Sequence, residues 1–510
     1  MRSHRWNPIN SESLPLIVLL VMSIFPLWVA FRQWQFLTDD AYITLTYSKS
    51  IAAGRGFVFN YPPATLGTTT PLFTWVVATL AMILPWVEIS QIAVGFTALC
   101  WMGTIWVIYL GRKYFDLAAW QAVVIGIIII ADAGYFGQDN STWVILLGME
   151  SHLFIFLLIL SMLFYLRKKL LVTGILVGLL FLTRGEGILL LFVFVLYQFV
   201  STWIKEKKWT RQSTYSWLQL IGGTLFVILC WSIYAQLTFD RILPDTLSAK
   251  IVQGYSGFWT PFLPTLLNTW LPHWWHQFAL PCCPKLSIWW LFIIVGLGYV
   301  SFKKRHWLIL LAWIMLYIGG YALLNVSTYG WYQLPILFVL RIFAAFGLIG
   351  IIETIVRMST KHPYIGYGIS TVGLLFLVVA LILPRIDSAL NYTGDRRASS
   401  YITLAKWFRE NTEPSRSVAY AEIGYLGYYT ENRIIDLMGL ILPDIIPHIA
   451  DGDFSWGFWY YQPDYYVYLP EFDWALGEIY TDPRFEKSYK PVATLPGPGT
   501  NNFVIYVHVD

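Results

Sequence analysis

The sequence predicts an α-helical polytopic membrane protein that ends in a small α/β domain. Two observations carry this: only 13% of residues are charged while 57% are hydrophobic, and the apolar runs that recur through most of the chain stop near residue 386. Average soluble domains carry roughly 25% charged residues, so most of this chain needs lipid as its solvent, as the mean hydropathy of +0.57 also indicates. The net charge of +4 is small for 510 residues. No Lys/Arg-rich block is interleaved with aromatic residues, which argues against nucleic acid as a partner. Aromatic residues reach 18%, with 26 Trp, and amphipathic rings collect at membrane interfaces and in sugar- or lipid-binding pockets. Cys100 and Cys230 sit in apolar stretches and Cys282 and Cys283 are adjacent in a loop, so neither a zinc spacing nor a disulfide framework is present.

Met1 to Ser13 precedes the apolar run 14–31, which is too long for a signal-peptide core and lacks a small-x-small cleavage site; it is expected to be a retained first span. A helix crossing the hydrocarbon needs roughly 20 mostly apolar residues. Twelve segments are candidates: 14–31, 71–86, 92–110, 119–133, 151–166, 170–183, 186–200, 217–237, 286–302, 307–324, 333–353 and 366–384. Basic residues cluster at Arg112 and Lys113, at Arg167 to Lys169, at Lys205 to Arg211, at Lys303 to Arg305, and at Arg357 with Lys361. The positive-inside rule assigns these five loops to the cytoplasm. The opposite face then receives Glu150, Arg184, 240–284, Tyr329 to Tyr332 and everything after Pro384. A cytoplasmic amino terminus and an extracytoplasmic tail require an odd number of crossings. Segment 71–86, short and headed by Pro71, is therefore expected to be a half-helix, leaving eleven spans within a range of about 11 to 13. The chain divides into a membrane domain over 1–385 and a soluble extracytoplasmic α/β domain over 386–510. In the latter, 399–411 reads as an amphipathic helix, and 417–421, 465–469 and 503–509 read as strands. No internal repeat supports an inverted-repeat transporter.

Charges at the ends of apolar helices are costly unless they line a wet cavity. Asp39 and Asp40 follow the first span, where a solvated loop or helix cap is the plain alternative. Glu150 heads a span, with His152 just beyond it, and a carboxylate there is favoured by the helix dipole alone. Arg184 and Glu186 form a polar break between two apolar runs, equally readable as a turn with its own ion pair. Lys250 after a span can simply snorkel, and Tyr329, Trp331 and Tyr332 can form an interfacial belt. What singles these residues out is that the topology, built without them, puts all of them on one face.

The motifs Asp39-Asp40-Ala41-Tyr42-Ile43, Gly54-Arg55-Gly56-Phe57-Val58-Phe59-Asn60, Gly148-Met149-Glu150, Leu182-Thr183-Arg184-Gly185-Glu186-Gly187 and Leu243 to Lys250, followed by Ala421-Glu422-Ile423-Gly424 and Ile435 to Leu440, carry a resemblance through most of the chain. It resembles the GT-C superfamily of integral membrane glycosyltransferases that use polyprenyl-phosphate sugars, and within it the branch of the terminal arabinofuranosyltransferases of mycobacterial cell walls. Relatives often read Thr-Arg-Pro-Glu where this chain has Gly185, which keeps the charged pair but loosens the turn. The resemblance implies a GT-C-like membrane fold in the plasma (inner) membrane and an aspartate base in the first external loop, Asp39 by position, with Asp40 as the alternative. Glu150 falls where related lipid-A aminoarabinose transferases have a second essential carboxylate.

Such a transfer needs a base for the acceptor hydroxyl and fixed cations for the departing lipid phosphate. Arg184 and Lys250 are the candidates for the latter, with Arg55 in reserve, while Glu186, His152, Tyr329, Trp331 and Tyr332 are candidate substrate contacts. One displacement would invert the anomeric configuration. No cofactor is expected; Asp39, Asp40 and Glu150 are able to hold Mg²⁺ or Mn²⁺ through hard oxygens, but arginine and lysine suffice for a lipid monophosphate. The expected partners are a polyprenyl-phosphate sugar, membrane lipids and a cell-envelope glycan, lipid or protein. A lipid or glycan transporter or flippase, or a non-catalytic subunit, is the alternative.

Overall fold

A computed structural model of the chain describes residues 13–34, 37–59, 62–131, 135–136, 140–141, 147–206, 210–277, 279–280, 283–358, 373, 395 and 397–509. Eleven of the twelve apolar segments are helical: Ser13–Gln33, Pro71–Ile83, Ile89–Leu110, Ala119–Ala131, Ser151–Leu166, Leu170–Thr183, Leu189–Glu206, Arg211–Phe239, Ile288–Lys303, Leu308–Leu324 and Gln333–Met358. The twelfth, 366–384, lies outside the described residues apart from Gly373. Among the described residues, six helical segments are long and apolar enough to cross a membrane, and five apolar helices are shorter. Pro71–Ile83 has 13 residues, about 20 Å at 1.5 Å per residue, less than the hydrocarbon thickness.

The helices sort by which faces they cover. On Arg211–Phe239, the exposed Leu218, Leu225, Leu229, Ile233 and Leu237 recur at three- to four-residue and seven-residue steps and make one apolar outer stripe, as a lipid-facing helix requires. Gln333–Met358 is instead buried along most of its length. It crosses Ile288–Lys303 so closely that a Cβ on Gly347 would lie 2.0 Å from the Phe292 carbonyl oxygen, the close approach that small residues permit between membrane helices.

Two helices missing from the sequence reading shape the region between the apolar helices and the C-terminal domain. Asp39–Ala52 follows the first span at once, and Asp245–Tyr255 carries Lys250. Neither is uniformly apolar, so hydropathy passes over both. The first is nonetheless buried on most sides, because it lies between the membrane helices and the C-terminal domain.

That domain contains the expected helix, Ala398–Asn411, and a five-stranded mixed sheet. Its strands are β1 (Ser417–Tyr420), β2 (Arg433–Asp436), β3 (Tyr465–Tyr468), β4 (Tyr489–Pro496) and β5 (Asn502–His508), in the order β2-β1-β3-β5-β4. β1 pairs in parallel with β2 and β3, whereas β5 is antiparallel to β3 and β4. Strands β2 and β4 were absent from the sequence reading: β2 is four residues long, and β4 is largely exposed, with two prolines at the sheet edge. The short helix Gly424–Tyr429 crosses from β1 to β2, so the turn Ala421 to Ile423 lies at the carboxyl end of a parallel strand, where open α/β sheets present their sites.

Candidate active site

Arg184 sits where Leu170–Thr183 ends and a single 3-10 turn, Gly185–Ile188, begins. Its Nε donates to Glu186 Oε1 at 2.7 Å, and Tyr321 donates to the same oxygen at 3.1 Å. The guanidinium lies over Phe154 and Tyr332, 5.7 and 5.5 Å from the ring centres. One of its terminal nitrogens comes within 3.7 Å of Glu150 and yet, though buried, has no hydrogen-bond partner. Glu186 is thus the partner that orients Arg184, and the unused nitrogen is available to a ligand.

Lys250 also lies beside the Tyr332 ring. Its Nζ lies 4.8, 5.6 and 5.8 Å from the rings of Tyr329, Trp331 and Tyr332, a cation cradled by aromatic faces. Tyr329 stacks on Trp331 at 4.8 Å. Gln253, one turn beyond Lys250 on the same helix, accepts hydrogen bonds from Tyr329 at 2.9 Å and Ser327 at 3.1 Å. The sequence reading missed Gln253; its position three residues after Lys250 on one helix face was the available signal.

Glu150, Arg184, Glu186, Lys250, Trp331 and Tyr332 line one cavity of about 580 Å³, whose remaining wall is mostly apolar, with Phe181, Ile188, Leu189, Ile228, Trp231 and Leu247 among its side chains. A cavity with two cations at one end and an apolar wall along the rest matches an anionic head on a lipid tail.

The two aspartates at the start of Asp39–Ala52 face different ways. Asp39 is buried, and both its oxygens are taken: Oδ2 accepts from the Gly424 N–H at 3.0 Å and Oδ1 from the Tyr425 N–H at 2.9 Å. Burial and then neighbouring Glu422 push its carboxyl well above the usual carboxylate range. Asp40 is half-buried, and its carboxylate accepts only from its own backbone N–H among the described residues. Burial raises its carboxyl too, against the pull of Lys250 and then Arg397. Glu422 is held by Arg397 and Tyr401, and Arg397 also donates to Asp395 at 2.9 Å. This acidic junction was missed as part of a site because 395 to 422 is remote from residue 39 along the chain.

Two other candidates lie apart from the cavity, whose lining also lacks Asp39, Asp40 and Tyr329. His152 stacks on Trp101 at 5.5 Å and is absent from the cavity wall; two residues beyond Glu150 in a helix, it points to another face. Arg55 is exposed beyond the far end of Asp39–Ala52 and bonds Ser50 at 3.3 Å. A 14-residue helix spans about 21 Å, so Arg55 cannot reach a phosphate beside Arg184. Among the described residues no three His, Cys, Asp or Glu side chains are arranged to hold a metal ion.

Solved structures similar to this chain are those of the archaeal oligosaccharyltransferase from Archaeoglobus fulgidus. The enzyme AglB in complex with an inhibitory peptide and a dolichol-phosphate superposes with a TM-score of 0.58 at 13% identity, over 96% of this chain and 74% of that one. The same oligosaccharyltransferase tethered to an acceptor peptide containing the NVT sequon gives 0.54 at 14% identity, over 99% and 75%. Its apo form gives 0.56 at 13%, over 96% and 73%. The chain has the GT-C fold. The likeness runs through nearly the whole chain but does not select the arabinofuranosyltransferase-like branch. Residues 390–506 match a family model described as a domain of unknown function (DUF8728). No curated protein matches the sequence.

Proposed function

We propose that this protein is a membrane glycosyltransferase that moves a single sugar from a polyprenyl-phosphate donor to a hydroxyl of a cell-envelope glycan, lipid or protein at the extracytoplasmic face. The observation that carries the reading is the cavity itself: a buried, partly unused Arg184 and an aromatic-caged Lys250 at one end of a long apolar wall. The dolichol-phosphate bound by the archaeal oligosaccharyltransferase is a ligand of that chemistry.

In this reading the donor phosphate binds the free Arg184 nitrogen and Lys250, with the lipid tail along Phe181, Ile228, Trp231 and Leu247. Asp40, rather than Asp39, takes the acceptor proton, because no other described residue hydrogen-bonds its carboxylate and it lies within the field of Lys250, whereas both Asp39 oxygens are taken by Gly424 and Tyr425. As the hydroxyl oxygen bonds to the anomeric carbon, the bond from that carbon to the phosphate oxygen breaks. The proton passes to Asp40, and the lipid monophosphate leaves with its new charge on the two cations. A single displacement inverts the anomeric centre. Arginine and lysine stabilise the leaving phosphate more than the neutral ester oxygen it replaces, which is what lowers the barrier. Asp39 spends both oxygens on backbone N–H groups, so no metal is assigned to the aspartate pair.

The test is transfer by purified protein in liposomes, from radiolabelled polyprenyl-phosphate sugars to membrane acceptors. Wild-type transfer that disappears in Asp40→Asn and Arg184→Lys supports the reading; transfer unaffected by both removes it.

A further inference from the structure

The junction between the helix Asp39–Ala52 and the C-terminal domain is built like a binding site that is already filled by part of this chain. The turn after β1 offers two successive backbone N–H groups, Gly424 and Tyr425, and Asp39 occupies both. The fit leaves no room at residue 424: a Cβ there would lie 1.9 Å from the Asp39 carbonyl oxygen and 2.9 Å from its carboxyl carbon. Around this point the same two segments are tied repeatedly. The Tyr425 phenol donates to the Leu37 carbonyl at 2.5 Å, the Tyr42 and Tyr429 hydroxyls bond at 3.1 Å, and Lys49 donates to the Tyr428 carbonyl at 2.9 Å. The Tyr42 ring packs on Tyr425, Tyr428 and Tyr429 with centres 4.6, 4.9 and 5.4 Å away.

We infer that Asp39 is a positioning residue, an interdomain clasp that docks the C-terminal domain onto the Asp39–Ala52 helix and so sets Asp40 within the field of Lys250 and Arg397. The site of this protein is complete only when the C-terminal domain is docked. Three observations stand behind this. Asp39 gives both oxygens to the turn, whereas its neighbour Asp40 interacts electrostatically with Lys250 and with Arg397 from the C-terminal domain. A carboxyl group whose two oxygens each accept from a backbone N–H, at 3.0 and 2.9 Å, is fixed in both position and orientation. Adjacent residues of a helix share their backbone placement, so fixing residue 39 fixes where residue 40 begins. The inference rests on the proposed function only in calling Asp40 the base; the clasp itself does not depend on it.

The experiment uses full-length protein in nanodiscs and three readouts: the rate at which chymotrypsin releases the C-terminal domain, the affinity for dolichyl phosphate followed by tryptophan fluorescence, and transfer kinetics across pH. In Asp39→Asn and Gly424→Ala, release is expected to speed up about tenfold or more as the docked state opens, while dolichyl phosphate affinity stays near wild type. Transfer in Asp39→Asn falls through kcat with donor KM unchanged, and the acid limb of its pH profile persists, because Asp40 is still present. Asp40→Asn keeps wild-type protease resistance but loses that limb. Tyr425→Phe, which removes one hydrogen bond without adding bulk, gives an intermediate release rate. Wild-type protease resistance in Asp39→Asn together with lost transfer overturns the clasp and returns Asp39 to the chemistry. If wild-type protein transfers no sugar, the proposed function fails, and the protease and lipid-binding readouts still decide the clasp.

Discussion

The cavity and the domain junction are both charged and largely buried, and they lie side by side, but their charges are treated differently. In the junction each acid is matched: Asp39 by two backbone N–H groups, Glu422 by Arg397 and Tyr401, Asp395 by Arg397. In the cavity the charges are left incomplete. Arg184 keeps a nitrogen without a hydrogen bond, Lys250 is caged by aromatic faces within the field of Asp40 and Glu150, Glu150 meets Arg184 across 3.7 Å, and Asp40, beside Lys250, makes no hydrogen bond to another described residue. Unsatisfied buried polar groups are rare in native proteins and call for an explanation. The lesson is that a matched set of charges holds the molecule together, whereas an unmatched set is completed by a ligand.

That contrast breaks if cavity variants unfold the protein or junction variants leave docking untouched. The largest effect is expected at Asp40: Asp40→Asn should lower the transfer rate by roughly 10² to 10⁴-fold, the range for a lost general base, with the thermal midpoint of the purified protein unchanged. The wild-type rate should also rise with pH along an acid limb placed above the ordinary carboxylate range, because burial raises Asp40, and a limb at the ordinary position would count against it.

Next in size is Arg184→Lys. It keeps a positive charge beside Glu186 and Glu150 but gives up the planar fork, and transfer should fall about 10²-fold by loss of transition-state stabilisation; initial rates at saturating donor check this. A smaller loss, about tenfold, is expected for Gln253→Leu, which withdraws the acceptor shared by Tyr329 and Ser327 and loosens the cage around Lys250. Its signature is a raised donor KM, and an unchanged KM would reduce Gln253 to packing.

The smallest effect concerns stability alone. Asp436, fully buried at the end of β2, accepts from the Met438 and Ile441 N–H groups at 2.8 and 2.9 Å, and burial lifts its carboxyl from 3.8 to about 6. The folded domain therefore holds this proton where the unfolded chain has released it. The stabilisation is fully present below the unfolded value and is lost as pH rises through about 6, up to roughly 3 kcal/mol by linkage. Hydrogen exchange of β2 in the full-length protein should be slower at pH 4 than at pH 7, and Asp436→Asn should flatten that difference.

Lipid as solvent imposes long apolar runs, and those runs are local, so eleven of the twelve candidate spans could be read from composition and are described helices. The charged residues that interrupt them, Glu150, Arg184 and Lys250, were legible for the same reason, since each stands out against an apolar background. By itself the sequence also marked Asp39 and Asp40 as a pair, but it could not say which way either side chain faces. Successive residues on a helix point about 100° apart, and what lies in each direction is set by segments hundreds of residues away. Only the tertiary structure turned Asp39 toward Gly424 and Tyr425, left Asp40 to Lys250 and Arg397, moved His152 against Trp101 and carried Arg55 out of reach. Packing across the junction made those choices, because a hydrogen bond or a stacked ring depends on distance in space, and no local pattern in the chain records it.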